Sequence, residues 1–205
     1  MQRSSRSQKL APHELSKITE LLARVTPVPF METPVFKTIW KTRLVPMATL
    51  ELLIFERDPL ASPAKTLPRV LLSYRTDEHY DCWHVPGGFL GTNETIAQAT
   101  KRILKRELGI LPKTIQPLLT INRPHGARDH HLSSFVAVTP AKAPRLKKGV
   151  LEYFDPSQLP KKIIPYYRNA FSVLAKMPAF WGELSDEQRR TFFEMLNIYD
   201  VPHGV

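Results

Sequence analysis

The segment Trp83–Ile110 constrains the fold most, because it sets a glycine pair, a polar turn and an amphipathic helix in immediate succession. Ile96, Ala99, Ile103 and Leu104 recur at spacings of three and four, which predicts a helix with one core-facing stripe. Ahead of it, Gly87 and Gly88 carry no side chain, so the backbone there is free to turn and to approach a ligand closely. Thr92 or Asn93 is placed to cap the helix by accepting from its first N–H groups. Gly109 tolerates the left-handed conformation that ends a helix, and Pro112 forbids continuation.

Elsewhere the chain reads as a mixture of strands and helices. Leu15, Ile18, Leu21 and Leu22 predict an N-terminal helix. A proline-bearing stretch follows, then a short edge strand over 35–41. The runs 48–55 and 69–75 read as strands, and the loop between them holds Pro59, Pro63 and Pro68. Together they are expected to form a hairpin leading to the glycine pair. Further strands are expected over 115–121 and 132–138, joined by the loop 122–130. A strand near Val150 and an Asp155–Pro156 turn precede a helix over 166–176. Ser185 and Gln188 frame a capping box for a last helix over 187–196, with Phe192, Phe193 and Leu196 on its apolar face. The expected organisation is a basic disordered tail over 1–11, one domain over 12–178 and a packed helical extension over 179–205.

At 205 residues, 42% of them hydrophobic, the chain is long enough to enclose a full core. No apolar run approaches the roughly 20 residues of a membrane helix, since even 48–55 is interrupted by Glu51. A soluble, cytoplasmic protein is expected. A single cysteine, Cys82, excludes an internal disulfide and reads as a partly buried thiol beside Trp83. The formal charge of +10 favours anionic ligands. Basic residues concentrate at 101–106, 142–148 and 161–162, but no nucleic-acid motif with interleaved aromatics accompanies them. They read as solvated faces, so a nucleotide-type small molecule is favoured over nucleic acid. The serine-rich tail, with Arg3, Arg6 and Lys9, shares the composition of a mitochondrial presequence but is short.

Gly88, Glu94, Arg102, Leu104, Glu107, Gly109 and Ile110 stand at the spacing of the pattern G-x5-E-x7-R-E-U-x-E-E-x-G-U and so resemble the box of Nudix hydrolases. The resemblance implies an α/β/α sandwich with a mixed sheet, in which Gly88, Glu94 and Gly109 shape the box. It also implies hydrolysis of a nucleoside diphosphate linked to another moiety. Two acidic positions differ, being Ile103 and Arg106 here. Residues three and four apart share a helical face, so the usual acidic cluster becomes apolar, cationic and acidic. Glu107 with the Gly87 carbonyl would then hold a single magnesium ion, or manganese. Attack at phosphorus usually draws on more than one metal.

The run Arg102–Ile110 is similar to the GDP-mannose mannosyl hydrolases, a branch that replaces the same two acids. That likeness implies a nucleotide-sugar substrate, water attack at the anomeric carbon with inversion, and a homodimer. It places Glu51 near the nucleotide or sugar, and Arg75 and Arg102 on the phosphates. Arg106 would contact phosphate directly or abolish metal binding. Two departures stand out. Phe89 takes the place of an arginine, and Lys147 and Lys148 stand near the branch's Gln-His pair. A lysine with an ordinary pKa near ~10.4 is no base at neutral pH, so the base is sought among His125, His130 and His131, which otherwise read as a solvent-facing cluster. A zinc site formed by these histidines lacks a fourth ligand at suitable spacing. The rival reading is a catalytically silent module that binds nucleotide or RNA.

Overall fold

Strand β1 (Met47–Ile54) is buried at every position but one, with Leu52, Leu53 and Ile54 wholly inaccessible. A strand so uniformly buried is covered on both faces, and β1 is the centre of the molecule. The computed structural model describes residues 10–24, 46–59, 67–77, 80–91, 93–123, 131–176, and 185, 187 and 188. The basic tail over 1–9, the expected strand over 35–41 and the helix beyond Gln188 lie outside the described residues. At 185–188 the capping box is present, Ser185 Oγ accepting from the Gln188 N–H and Gln188 Oε1 from the Ser185 N–H.

Two sheets form. The first has the order β4 (Gly87–Phe89), β1, β6 (His131–Pro140), β5 (Pro112–Arg123), with β1 parallel to β6 and the other pairs antiparallel. The second is antiparallel, in the order β3 (Asp81–His84), β2 (Val70–Thr76), β7 (Leu151–Phe154). The expected hairpin of the two early strands is therefore corrected. Their backbones pair only at the Phe55–Val70 bridge and the Glu56 N–H to Arg69 carbonyl bond, then part. Both edges of β1 are taken by β4 and β6, so β2 has no edge left to pair with.

Helix α1 (Pro12–Ala23) carries the expected stripe, but Leu15, Ile18 and Leu21 remain exposed. Helix α2 (Ile96–Leu108) buries Ala99, Thr100, Ile103 and Leu104. Helix α3 (Pro165–Leu174) has proline in its first turn, where no N–H is needed, and buries Tyr167, Ala170, Phe171 and Leu174. Side chains alternate along β1. Leu50, Leu52 and Ile54 pack with α2, whereas Leu53 and Phe55 pack with α3. Val136 and Val138 of β6 likewise join the α2 side, and Phe135 and Ala137 the α3 side. The result is a mixed α/β fold with helices on both faces of strand, as expected.

The cap of α2 is Thr95, neither Thr92 nor Asn93. Its hydroxyl accepts from the Gln98 N–H at 3.1 Å, while Gln98 Oε1 accepts from the Thr95 N–H at 2.8 Å. Asn93 instead adopts a positive φ of 58° in the preceding turn. Gly109 ends the helix at φ 65°, ψ 24°, as its position predicts. Gly87 and Gly88 are strand residues and make no turn. A Cβ at Gly87 would lie 2.6 Å from the Leu50 carbonyl, so close approach to β1 is what requires glycine there.

Candidate active site

Strand β4 is the free edge of its sheet, and an edge leaves backbone groups to be satisfied by something else. Helix α2 does this with two arginines one turn apart. Arg102 Nη2 donates to the Phe89 carbonyl at 2.9 Å, and Arg106 Nη2 to the Gly87 carbonyl at 3.2 Å. Four helical residues rise about 6 Å and two strand residues about 6.6 Å, so the side chains meet alternate carbonyls in step.

Arg106 Nη2 also donates to Glu107 Oε1 at 2.6 Å, and the Gly87 N–H bonds the same carboxylate. Gly87 and Glu107 are thus brought together as the box resemblance implies, but a guanidinium bridges them. Magnesium asks for oxygen ligands at about 2.0–2.1 Å in an octahedron. Here one carboxylate and one carbonyl already accept from a cation, Ile103 is buried in the core, and no group of three or more His, Cys, Asp or Glu among the described residues could hold a metal. These residues do not fit a magnesium ion in this arrangement. Burial pushes the Glu107 carboxyl above its usual range, against the hydrogen bond and charge of Arg106, the Gly87 N–H and the charge of Arg75.

On the other side of Gly87 stands Glu51, which pairs with it across β1 and β4; a Cβ at Gly87 would lie 3.0 Å from Glu51 Oε2. Glu51 is buried, and both of its oxygens accept from α3: Oε1 from the Tyr166 hydroxyl at 2.6 Å, Oε2 from the Tyr167 hydroxyl at 2.7 Å. Arg123 lies over the Tyr166 ring at 3.8 Å and adds positive potential. Burial outweighs these donors and raises the Glu51 pKa to about 7, with the neighbouring Glu107 charge pushing the same way. Burial and the Glu51 charge hold both tyrosines protonated, so they remain donors.

Other expected residues fall variously. Arg102 also donates to Glu94, Nε to Oε1 at 2.6 Å, and Glu94 Oε2 accepts from the Gly91 N–H at 2.8 Å. This pair orders the loop before α2. Burial pushes the Glu94 pKa up, but Arg102 and Gly91 outweigh it and hold the carboxyl below its usual range. Arg75 pairs with Asp77 and packs over Tyr80, within electrostatic reach of Glu107. His131 begins β6 beside Phe89, opposite Met47. That is four residues from the Glu51 register, roughly 13 Å along the strands. His125 and His130 lie outside the described residues. Arg123, Tyr166 and Tyr167 are site neighbours the sequence reading did not single out; two adjacent tyrosines opening an amphipathic helix were the available signal.

The NUDIX domain model matches residues 62–174, more than half of the chain. The chain belongs to the NUDIX domain family. A curated relative, the ADP-ribose pyrophosphatase of Methanocaldococcus jannaschii, is 30% identical over 96 residues. That match covers 45% of this chain, which spans only 57% of the relative's length. Among solved structures, a MutT NUDIX hydrolase from Burkholderia pseudomallei superposes with a TM-score of 0.50 at 23% identity, covering 62% of this chain and 97% of that one. At that identity the likeness shows a shared mixed α/β fold. No helix among the described residues is long and apolar enough to cross a membrane.

Proposed function

We propose that this NUDIX domain binds a nucleoside diphosphate joined to a second group, a nucleotide sugar above all, and hydrolyses the bond to that group. The observation that carries the reading is the convergence on Gly87 of two carboxylates, Glu51 and Glu107, and of Arg106. Arg75 and Arg123 act on these carboxylates electrostatically, which suits the cluster to a diphosphate. The curated relative acts on ADP-ribose, by its name, and supports a substrate of that general type.

The chemistry the residues suit best is attack at carbon. Water adds to the anomeric carbon while the bond from that carbon to the diphosphate oxygen breaks. The electron pair stays on the departing diphosphate, and the proton of water passes to the Glu51 carboxylate. Arg106 and Arg75 neutralise the leaving charge, and their attraction grows as that charge develops. The likeness of Arg102–Ile110 to the GDP-mannose mannosyl hydrolases supports this bond choice. Glu51 is favoured over His131 as the base, since its carboxyl adjoins Gly87 and His131 lies well along the strand.

The test is a screen of nucleotide sugars and ADP-ribose that separates free sugar from phosphate esters. Free sugar with nucleoside diphosphate supports attack at carbon, whereas nucleoside monophosphate would reject it in favour of attack at phosphorus. The bridging of Gly87 and Glu107 by Arg106 favours a second reading, a silent nucleotide-binding module. Binding without any product would select it.

A further inference from the structure

We infer that Arg106 is a built-in replacement for the divalent cation, so that the site binds a diphosphate without metal. The inference rests on the proposal that this cluster receives a diphosphate, and it adds how the charge is neutralised. Both groups that the box resemblance assigns to a metal, the Gly87 carbonyl and the Glu107 carboxylate, already accept from one nitrogen of Arg106. Arg106 donates to described residues from Nη2 alone, and its side chain is 43% exposed, so Nη1 and Nε are left to a ligand. A guanidinium presents its donors as a planar fork that matches two phosphate oxygens.

The neighbourhood fits a fixed cation better than a metal. Ile103, at another position of the lost acidic cluster, is wholly buried and packs with Leu104 and Ala99. It leaves no second carboxylate on that face of the helix to complete a coordination sphere. Arg106 also has a reason to stay in place, since it closes the exposed edge of β4 in step with Arg102. Releasing it to admit a metal would cost the guanidinium both of its acceptors, the Gly87 carbonyl and the Glu107 carboxylate.

The deciding experiment uses the unmodified chain and ADP, which has the diphosphate but lacks the bond that the proposed hydrolysis cuts. Calorimetric titration is run once with EDTA and once with magnesium. Affinity in EDTA should equal or exceed that in magnesium, to within about twofold, because magnesium takes charge off ADP before it reaches Arg106. Binding at least about tenfold weaker in EDTA overturns the inference while leaving the proposed function standing. Absence of ADP binding in both buffers overturns it together with the diphosphate reading. Arg106→Glu gives an independent arm, with folding checked by its melting curve. Its ADP affinity should fall by about tenfold or more in EDTA and recover when magnesium is added. Unchanged affinity in EDTA would reject the role of Arg106. Arg106→Lys keeps the charge without the fork and should retain part of the metal-free affinity; loss equal to that of the glutamate variant would equally reject it.

Discussion

The Tyr167 hydroxyl donates to Oε2 of Glu51 at 2.7 Å across 116 positions of sequence, tying the last described helix to the central strand. With Tyr166 on the other oxygen, the carboxylate is fixed in a single orientation against Gly87. Burial costs such a group more than two neutral donors restore, and the raised pKa expresses that balance.

Glu51 gives stability a pH dependence of defined sign. Its folded pKa of about 7 lies above the ordinary value of 4.5, so the folded state holds the proton more tightly than the unfolded chain. The stabilisation is complete below about 4.5 and is lost as pH rises through about 7, a change on the order of 3 kcal/mol. Denaturant titrations across this window should show a downward slope that Glu51→Gln makes shallower, the Glu107 carboxyl, also raised by burial, keeping the remainder. Parallel slopes in the two proteins would contradict the assignment.

Removing one hydroxyl leaves the carboxylate with half its donors. Tyr167→Phe keeps the ring in the core and should lower stability by about 1–2 kcal/mol at neutral pH. The Glu51 pKa should move further upward, because both tyrosines hold it down. The same titrations would show the sloping region displaced to higher pH, and no displacement would count against the bond.

Gly87 and Gly109 should respond differently to alanine. At Gly87 the new Cβ meets the Leu50 carbonyl at 2.6 Å, backbone against backbone, so β1 and β4 must separate. A loss of about 2–4 kcal/mol is expected. At Gly109 no atom lies within 4 Å, and only the left-handed φ of 65° opposes a side chain, about 1 kcal/mol. Thermal melts of the two variants would rank them, and equal losses would refute the close-approach argument.

Arg102 is predicted to matter for folding more than for ligand. Arg102→Ala strips Glu94 of its charged partner and Phe89 of a donor in a half-buried pocket, costing about 3 kcal/mol. Adding Glu94→Gln should recover part of that loss, since no lone carboxylate then remains. A double variant as unstable as the single one would show that the ion pair is not the cause.

Helix α2 was legible because its period and its glycine stop are local signals, carried by Ile96, Ala99, Ile103, Leu104 and Gly109. Its cap was harder to place. Thr92, Asn93 and Thr95 are all capping types, and only the reciprocal Gln98 separates them. The positions of β1, β2, β5 and β6 were legible from composition while β3 and β4 were not, and no pairing was, because nothing near Ala48 in sequence announces Leu132 as its neighbour. The departure of Arg106 from the box pattern was plain on the page. Its destination on the Gly87 carbonyl depends on a strand edge that no local pattern declares.

The parallel pairing of β1 with β6 has a kinetic consequence. The Thr49–Ser133 hydrogen bond closes a loop of 84 positions, and β2, β3, β4, α2 and β5 are all strung along the enclosed chain. Contacts of such long range are slow to form, since the entropy of closure is lost before burial compensates. Glu51 therefore waits on nearly the whole domain for its tyrosines, and the site matures only when α3 docks. During synthesis, ligand binding should appear only after Tyr167 has left the ribosome, as a late and all-or-none event.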